Sequence, residues 1–120
     1  MNLTFDSLKK YFKINLTIEA NGNKEVITGI IDTGAQITAI PLYILKRLRI
    51  KASGQKRITS IAGSIPCPTF SCTLYLIGRP IYCEVVGSEI ITEPLIGLDI
   101  IKEYKLTLNW KNKSGEIEDP

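Results

Sequence analysis

From Phe12 to Ala20 the chain reads FKINLTIEA, with Ile14, Leu16 and Ile18 alternating against Asn15, Thr17 and Glu19. Period-two alternation predicts a strand with one face buried. Asn21-Gly22-Asn23 follows, and Asn-Gly is a strong hairpin signal because both residues tolerate positive φ. KEVITGII then returns as a second strand and runs directly into Asp32, and QITAI is read as a further short strand. Pro41 suits the first turn of a helix in which Leu42, Leu45 and Leu48 repeat at spacing three.

Further on, QKRITSIAGSIPCPTF reads as two strand arms around a Gly/Ser-containing tip. CTLYLIGRPIYCEVV reads as a second hairpin, turning at Gly78-Arg79-Pro80. EPLIGLDIIKEY suggests a loop and strand entering a short helix, and KLTLNW a final strand. The expectation is a mainly-β domain of about seven to nine short strands with one or two short helices, in a closed or folded sheet. The first dozen residues allow either a strand or a short amphipathic helix over DSLKKYF. The polar tail KNKSGEIEDP is expected to fray. The corresponding divisions are 1–12 as an N-terminal extension or dimer strand, 13–110 as the main domain and 111–120 as the tail.

Composition narrows the chemistry. At 120 residues the chain is one domain. No apolar run approaches the ~18 residues of a membrane span. MNLTFDSLKK lacks the apolar stretch of a secretory signal, which favours the cytoplasm or a domain cut from a longer parent. The three cysteines, Cys67, Cys72 and Cys83, match no zinc spacing and are read as free thiols. Histidine is absent, which removes Ser–His and Cys–His nucleophilic machinery and histidine–metal sites. Net charge is +3, concentrated in Lys46, Arg47, Arg49, Lys51, Lys56 and Arg57. No aromatic interleaving accompanies these cations, so a solvated face is the better reading and no nucleic acid or membrane partner is expected.

One acid stands apart. Asp32 ends an apolar strand and is followed by Thr33 and Gly34. A turn after a strand accounts for the tripeptide alone. An ionised carboxylate in apolar surroundings nevertheless needs a partner or hydrogen bonds. Gly34 lets backbone N–H groups approach it. Far along the chain Leu95-Ile96-Gly97 precedes LDIIKEYKLTLNW.

This pair of motifs, Ile30-Ile31-Asp32-Thr33-Gly34-Ala35 and Leu95-Ile96-Gly97, resembles the retroviral-type (retropepsin-like) aspartic proteases over residues 13–110. The resemblance implies a half-barrel acid-protease fold with short helices, paired about a two-fold axis. It implies an aspartic endopeptidase with Asp32 as the catalytic residue and Asp32 of a second copy as its missing partner. Thr33, Gly34, Ala35 and Gly97 would support the active-site loop. The hairpin tip over 60–65 would be a flap, with Gly34, Ile61, Gly63, Ile65 and Leu95 touching an extended peptide substrate. No metal or cofactor is implied. Gln36 and Leu98 stand where viral enzymes often carry an acid and an arginine that pair, which suggests a cellular or prokaryotic relative. Ala35 stands where pepsins have a hydroxyl, and a mildly acid optimum of about pH 4–6.5 is expected. Asp99 is read as a structural residue at a helix start. Two rival readings are a non-catalytic peptide-binding or dimerisation module of the same fold, and a basic β-barrel that binds nucleic acid through the six cations above.

Overall fold

The alternating stretch forms the strand it predicts: β2 (Tyr11–Ala20) buries Ile14, Leu16 and Ile18 while Asn15 faces solvent. The computed structural model describes residues 1–120 apart from the side chain of Ser60. Before β2 lies β1 (Thr4–Asp6), and after it β3 (Asn23–Ile31). Asn21 (φ 52°) and Gly22 (φ 76°) make the two-residue turn between β2 and β3. Positive φ at both central residues gives a turn whose twist matches the flanking strands.

The remaining elements are β4 (Ala39–Pro41), α1 (Leu42–Arg47), β5 (Gly54–Ser60), β6 (Gly63–Leu76), β7 (Arg79–Ser88), β8 (Leu95–Ile96), α2 (Leu98–Ile101), β9 (Lys105–Asn109) and β10 (Ser114–Glu118). Eight strands form one sheet in the order β1-β2-β3-β8-β4-β7-β6-β5. Thr17, Ile18 and Glu19 of β2 also pair with Tyr75, Leu74 and Thr73 of β6, which closes the sheet on itself. The barrel interior holds Ile18, Ile40, Leu45, Leu74, Val85, Ile96 and Ile100, each essentially without solvent contact. From α1, Ile44 and Leu45 are buried, and Leu48 follows them into the core. The mainly-β class expected from the alternation is therefore what forms.

Three local expectations change, and one open choice is resolved. The β6–β7 turn falls at Ile77-Gly78 (φ 53° and 71°), one residue earlier than the Gly-Arg-Pro reading. Pro80 instead pairs within β7, opposite Tyr75. The N–H of Val86 points away from β6 to the Thr38 carbonyl, and by strand alternation Pro80 lacks its N–H on that same outer side. QITAI contributes only Ala39 and Ile40 to a strand, because the residues before them form the loop behind Asp32.

The N-terminal dozen forms the β1–β2 hairpin rather than a helix. Asp6 Oδ1 accepts the backbone N–H groups of Leu8 and Lys9 and so fixes the turn. The polar tail, finally, is not frayed. It carries β10, which pairs with β9 over Ser114–Glu118 and buries Ile117 completely. Phe12 and Ile117, from outside the expected 13–110 core, both belong to the hydrophobic cluster. Trp110 meets Phe12 edge-on at 4.9 Å, and its Nε1 donates to the Lys10 carbonyl at 3.0 Å.

Candidate active site

Asp32 sits where β3 leaves the sheet. Parallel pairing places Ile30 beside Leu95 and Ile31 beside Ile96, and the Asp32 N–H donates to the Ile96 carbonyl at 2.9 Å. Beyond this point the chain turns. Asp32 Oδ1 accepts the Gly34 N–H at 3.1 Å, and the Asp32 carbonyl accepts the Ala35 N–H at 3.2 Å. The carboxylate is half-buried, while Thr33 and Gly34 are exposed in the single chain. A Cβ at Gly34 would meet only Asp32 Oδ1, at 3.4 Å.

Gly97 packs against this loop from behind. A Cβ there would lie 2.8 Å from the Ala35 carbonyl oxygen and 2.9 Å and 3.0 Å from the Ile37 carbonyl group. All three are backbone atoms, so nothing can rotate away. The Leu98 N–H donates to the Ala35 carbonyl at 2.8 Å, joining the start of α2 to the loop.

Behind the loop is a polar lock that sequence reasoning missed. Thr38 is fully buried. Its hydroxyl donates to Asp99 Oδ1 at 2.8 Å and accepts the Gly97 N–H at 3.0 Å. Its own N–H donates to Asp99 Oδ2 at 3.0 Å. Asp99, in the first turn of α2, therefore ties that helix to the loop. A lone threonine in an apolar run gives no sequence signal for this role, since burial of a hydroxyl depends on partners distant in the chain.

A cleft of about 810 Å³ opens beside Asp32. Of the residues expected to touch substrate, Gly34, Ile65 and Leu95 line it, together with the loop residue Ala35. Ile61 does not; at the hairpin tip it is completely exposed. Gly63, beside the tip, also lies off the cleft wall and has φ 127°. Ile37, Ile58, Ile90 and Ile91 complete the apolar wall. They come from separate segments of an isoleucine-rich chain, so no spacing marked them. A second cavity of about 770 Å³ adjoins the β2–β3 turn and contains no residue of the Asp32 loop.

The segment leading into β8 is anchored by charge. Glu93 accepts from Tyr11 Oη at 2.6 Å and from Lys13 Nζ at 2.8 Å, and Lys13 also pairs with Asp6 at 3.3 Å. The Lys13 ammonium, followed by the Tyr11 hydroxyl, holds the Glu93 carboxyl below its ordinary range. Elsewhere, Cys72 and Cys83 face each other across β6 and β7 as free thiols. Among the described residues no three His, Cys, Asp or Glu side chains converge as metal ligands, and no helix is long and apolar enough to cross a membrane. Of the six basic-run cations, Arg47 is engaged by Glu25 and Arg57 by Ser64, while Lys56 lines the cleft.

The barrel, the loop closed over Gly97 and the adjoining cleft together define the retropepsin-like aspartic-protease fold. Among solved structures, the chain matches a retropepsin-like aspartic protease from Rickettsia conorii with a TM-score of 0.66 and 16% identity, over 91% of this chain and 83% of that one. It matches EIAV protease, solved with the inhibitor HBY-793, with a TM-score of 0.65 and 21% identity, over 82% and 92% of the two chains. Simian Foamy Virus (mac) protease matches with a TM-score of 0.53 and 24% identity, over 74% and 92%. No protein-family model and no curated protein sequence matches the chain. At these identities the likeness is one of fold.

Proposed function

We propose that the chain is an aspartic endopeptidase that acts as a homodimer on extended, apolar peptide segments. The observation that carries this reading is Asp32 itself. It is a carboxylate held by backbone N–H donation in a loop whose Gly34 and Ala35 line an apolar cleft, in a fold shared with aspartic proteases. One chain supplies one such acid, and the second comes from Asp32 of a second copy across a two-fold axis.

Two carboxylates held a few ångströms apart share one proton. The ionised member takes a proton from a water held between them, and that water attacks the scissile carbonyl. The protonated member donates to the carbonyl oxygen, and the tetrahedral intermediate collapses as the leaving amine is protonated. Thr33 bonds across the axis, Gly34 leaves room for substrate backbone, and Gly97 holds the loop. The β5–β6 hairpin covers the peptide as a flap, with Ile65 and Leu95 against its side chains; Ile61 and Gly63 reach it only when the tip closes. Ala35 offers no hydroxyl to the dyad, so the activity maximum falls at about pH 4–6.5.

A peptide-library digest from pH 3 to pH 8, read by mass spectrometry on native protein and Asp32→Asn, tests the reading. Cleavage by the native protein alone supports it. Equal cleavage by both assigns the activity to a contaminant. If neither cuts while sizing shows a dimer, the fold serves here as a peptide-binding or dimerisation module.

A further inference from the structure

The β5–β6 hairpin forms one side of the cleft, to which Arg57 and Thr59 also contribute, and the strand register identifies four residues that share a face there. Ile58 is paired with Ile65, and Lys56 with Cys67, two residues along each strand. Side chains two apart on a strand share a face, so Lys56 lies on the same surface as the two isoleucines. All four residues line the cleft. Three of them are apolar and the fourth is a cation.

Among the described residues nothing neutralises that cation: no carboxylate forms an ion pair or hydrogen bond with Lys56, and no acidic side chain lines the cleft. Neighbouring Arg57 adds positive charge, but its guanidinium is committed to Ser64, donating to Oγ and to the carbonyl at 3.1 Å each. Glu93, close in sequence to the far wall, is occupied by Lys13 and Tyr11. Asp32, whose loop contributes Gly34 and Ala35 to the lining, accepts the Gly34 N–H and forms no ion pair with Lys56. The cleft therefore carries, among its apolar side chains, an ammonium that no carboxylate of the described residues pairs with.

From this arrangement we infer that the cleft selects peptides carrying an acidic side chain at a position flanking the apolar residues at the cut, and that Lys56 is the residue that reads it. The inference rests on the proposed peptidase reading and deepens it. The acidic residue belongs beneath the hairpin arm, away from Asp32, where like charge would repel it. An exposed ammonium–carboxylate contact gives a preference of about three- to fivefold over the neutral isostere.

The test uses fluorescein-labelled decapeptides with a central apolar pair, in which one Glu is walked through every flanking position, and a matched Gln series. Binding to the Asp32→Asn protein is read by fluorescence anisotropy. At one or two positions the Glu peptide should bind about three- to fivefold more tightly than its Gln partner. Lys56→Gln should erase that difference, Lys56→Glu should reverse it, and added salt should shrink it. The inference is overturned if Glu is favoured at no position, or if its preference survives Lys56→Gln in a protein with an unchanged unfolding curve. Cleavage by the native protein without any Glu preference overturns this inference alone. Absence of both binding and cleavage overturns it together with the peptidase reading.

Discussion

The hydroxyl of Thr38 is the point where the Asp32 loop and α2 are held together, and its removal gives a sharp test of the site's construction. Thr38→Val preserves shape and deletes one oxygen. Two hydrogen bonds go with it: the one accepted from the Gly97 N–H and the one donated to Asp99 Oδ1. The Gly97 N–H is buried and left without its acceptor, at a cost of about 1–3 kcal/mol. Asp99 is only half-buried, so water partly replaces its lost donor, and that side costs about 0.5–1 kcal/mol. The sum is about 3 kcal/mol. Thr38→Ser retains the hydroxyl and loses a buried methyl, at about 1 kcal/mol. For a domain of this size about 3–5 °C of Tm corresponds to each kcal/mol. Thr38→Val should therefore melt about 10 °C below the native protein, and Thr38→Ser about 4 °C below it. Urea titration of the three proteins measures the free energies directly. Equal stability of the Thr38→Val and Thr38→Ser proteins would show that methyl packing, not the hydroxyl, holds the loop, and the polar lock would be refuted.

Gly97→Ala should cost about 2–4 kcal/mol by urea unfolding, since its Cβ meets only backbone atoms, while Gly34→Ala, with a single contact at 3.4 Å, should stay within about 1 kcal/mol of native. Ile77, a β-branched residue at φ 53° in a two-residue turn, should be improved by Ile77→Asn, which raises stability by about 1 kcal/mol in the same titration. Glu93, whose carboxyl is lowered from 4.5 by Lys13 and then Tyr11, contributes stability that is present above that value and lost as pH falls through the lower folded value. Glu93→Gln should therefore be less stable than native by roughly 0.5–1 kcal/mol at neutral pH, with the gap narrowing progressively as pH falls below 4.5, as read by unfolding at each pH.

The parts of the fold that were legible are those in which local chemistry and tertiary structure agree. β2 is written in its alternation, the β2–β3 turn in Asn21-Gly22, and α1 in the leucine spacing. The Asp32 and Gly97 motifs stand out because glycine and a lone acid are conspicuous in apolar strands. What was hidden depends on partners far along the chain. β10 holds one apolar residue in a polar tail, yet Ile117 is fully buried, and Gly115 lies so close to the Phe12 ring that a Cβ would sit 2.9 Å from it. Sequence shows neither the Phe12 ring nor the pairing that brings it there. Pro80 drew the turn reading one residue too far because proline favours turns. Its actual place is permitted by an outward-facing backbone position that only the sheet order reveals. The cleft wall was hidden differently: isoleucine is too abundant here for any one of them to signal a pocket.

The pairing of the chain's two ends bears on how a second copy would join. KLTLNW forms β9, which is paired to β10 within the chain. Asn2 bridges to Glu116, the Leu3 N–H donates to the Gly115 carbonyl, and the Ile117 N–H donates to the Met1 carbonyl. Trp110 seals the assembly against Phe12. Both terminal segments thus have partners before any second chain arrives, and separating two copies need not unravel either. For the proposed dimeric peptidase this makes dissociation and unfolding distinct steps. On dilution, specific activity should fall as dimer is lost, since each copy holds one Asp32. The far-ultraviolet circular dichroism spectrum and Tm should stay unchanged over the same range. Activity and secondary structure that fall together on dilution would show instead that the terminal strands need the second chain, and that their pairing within one chain is not the state of the free monomer.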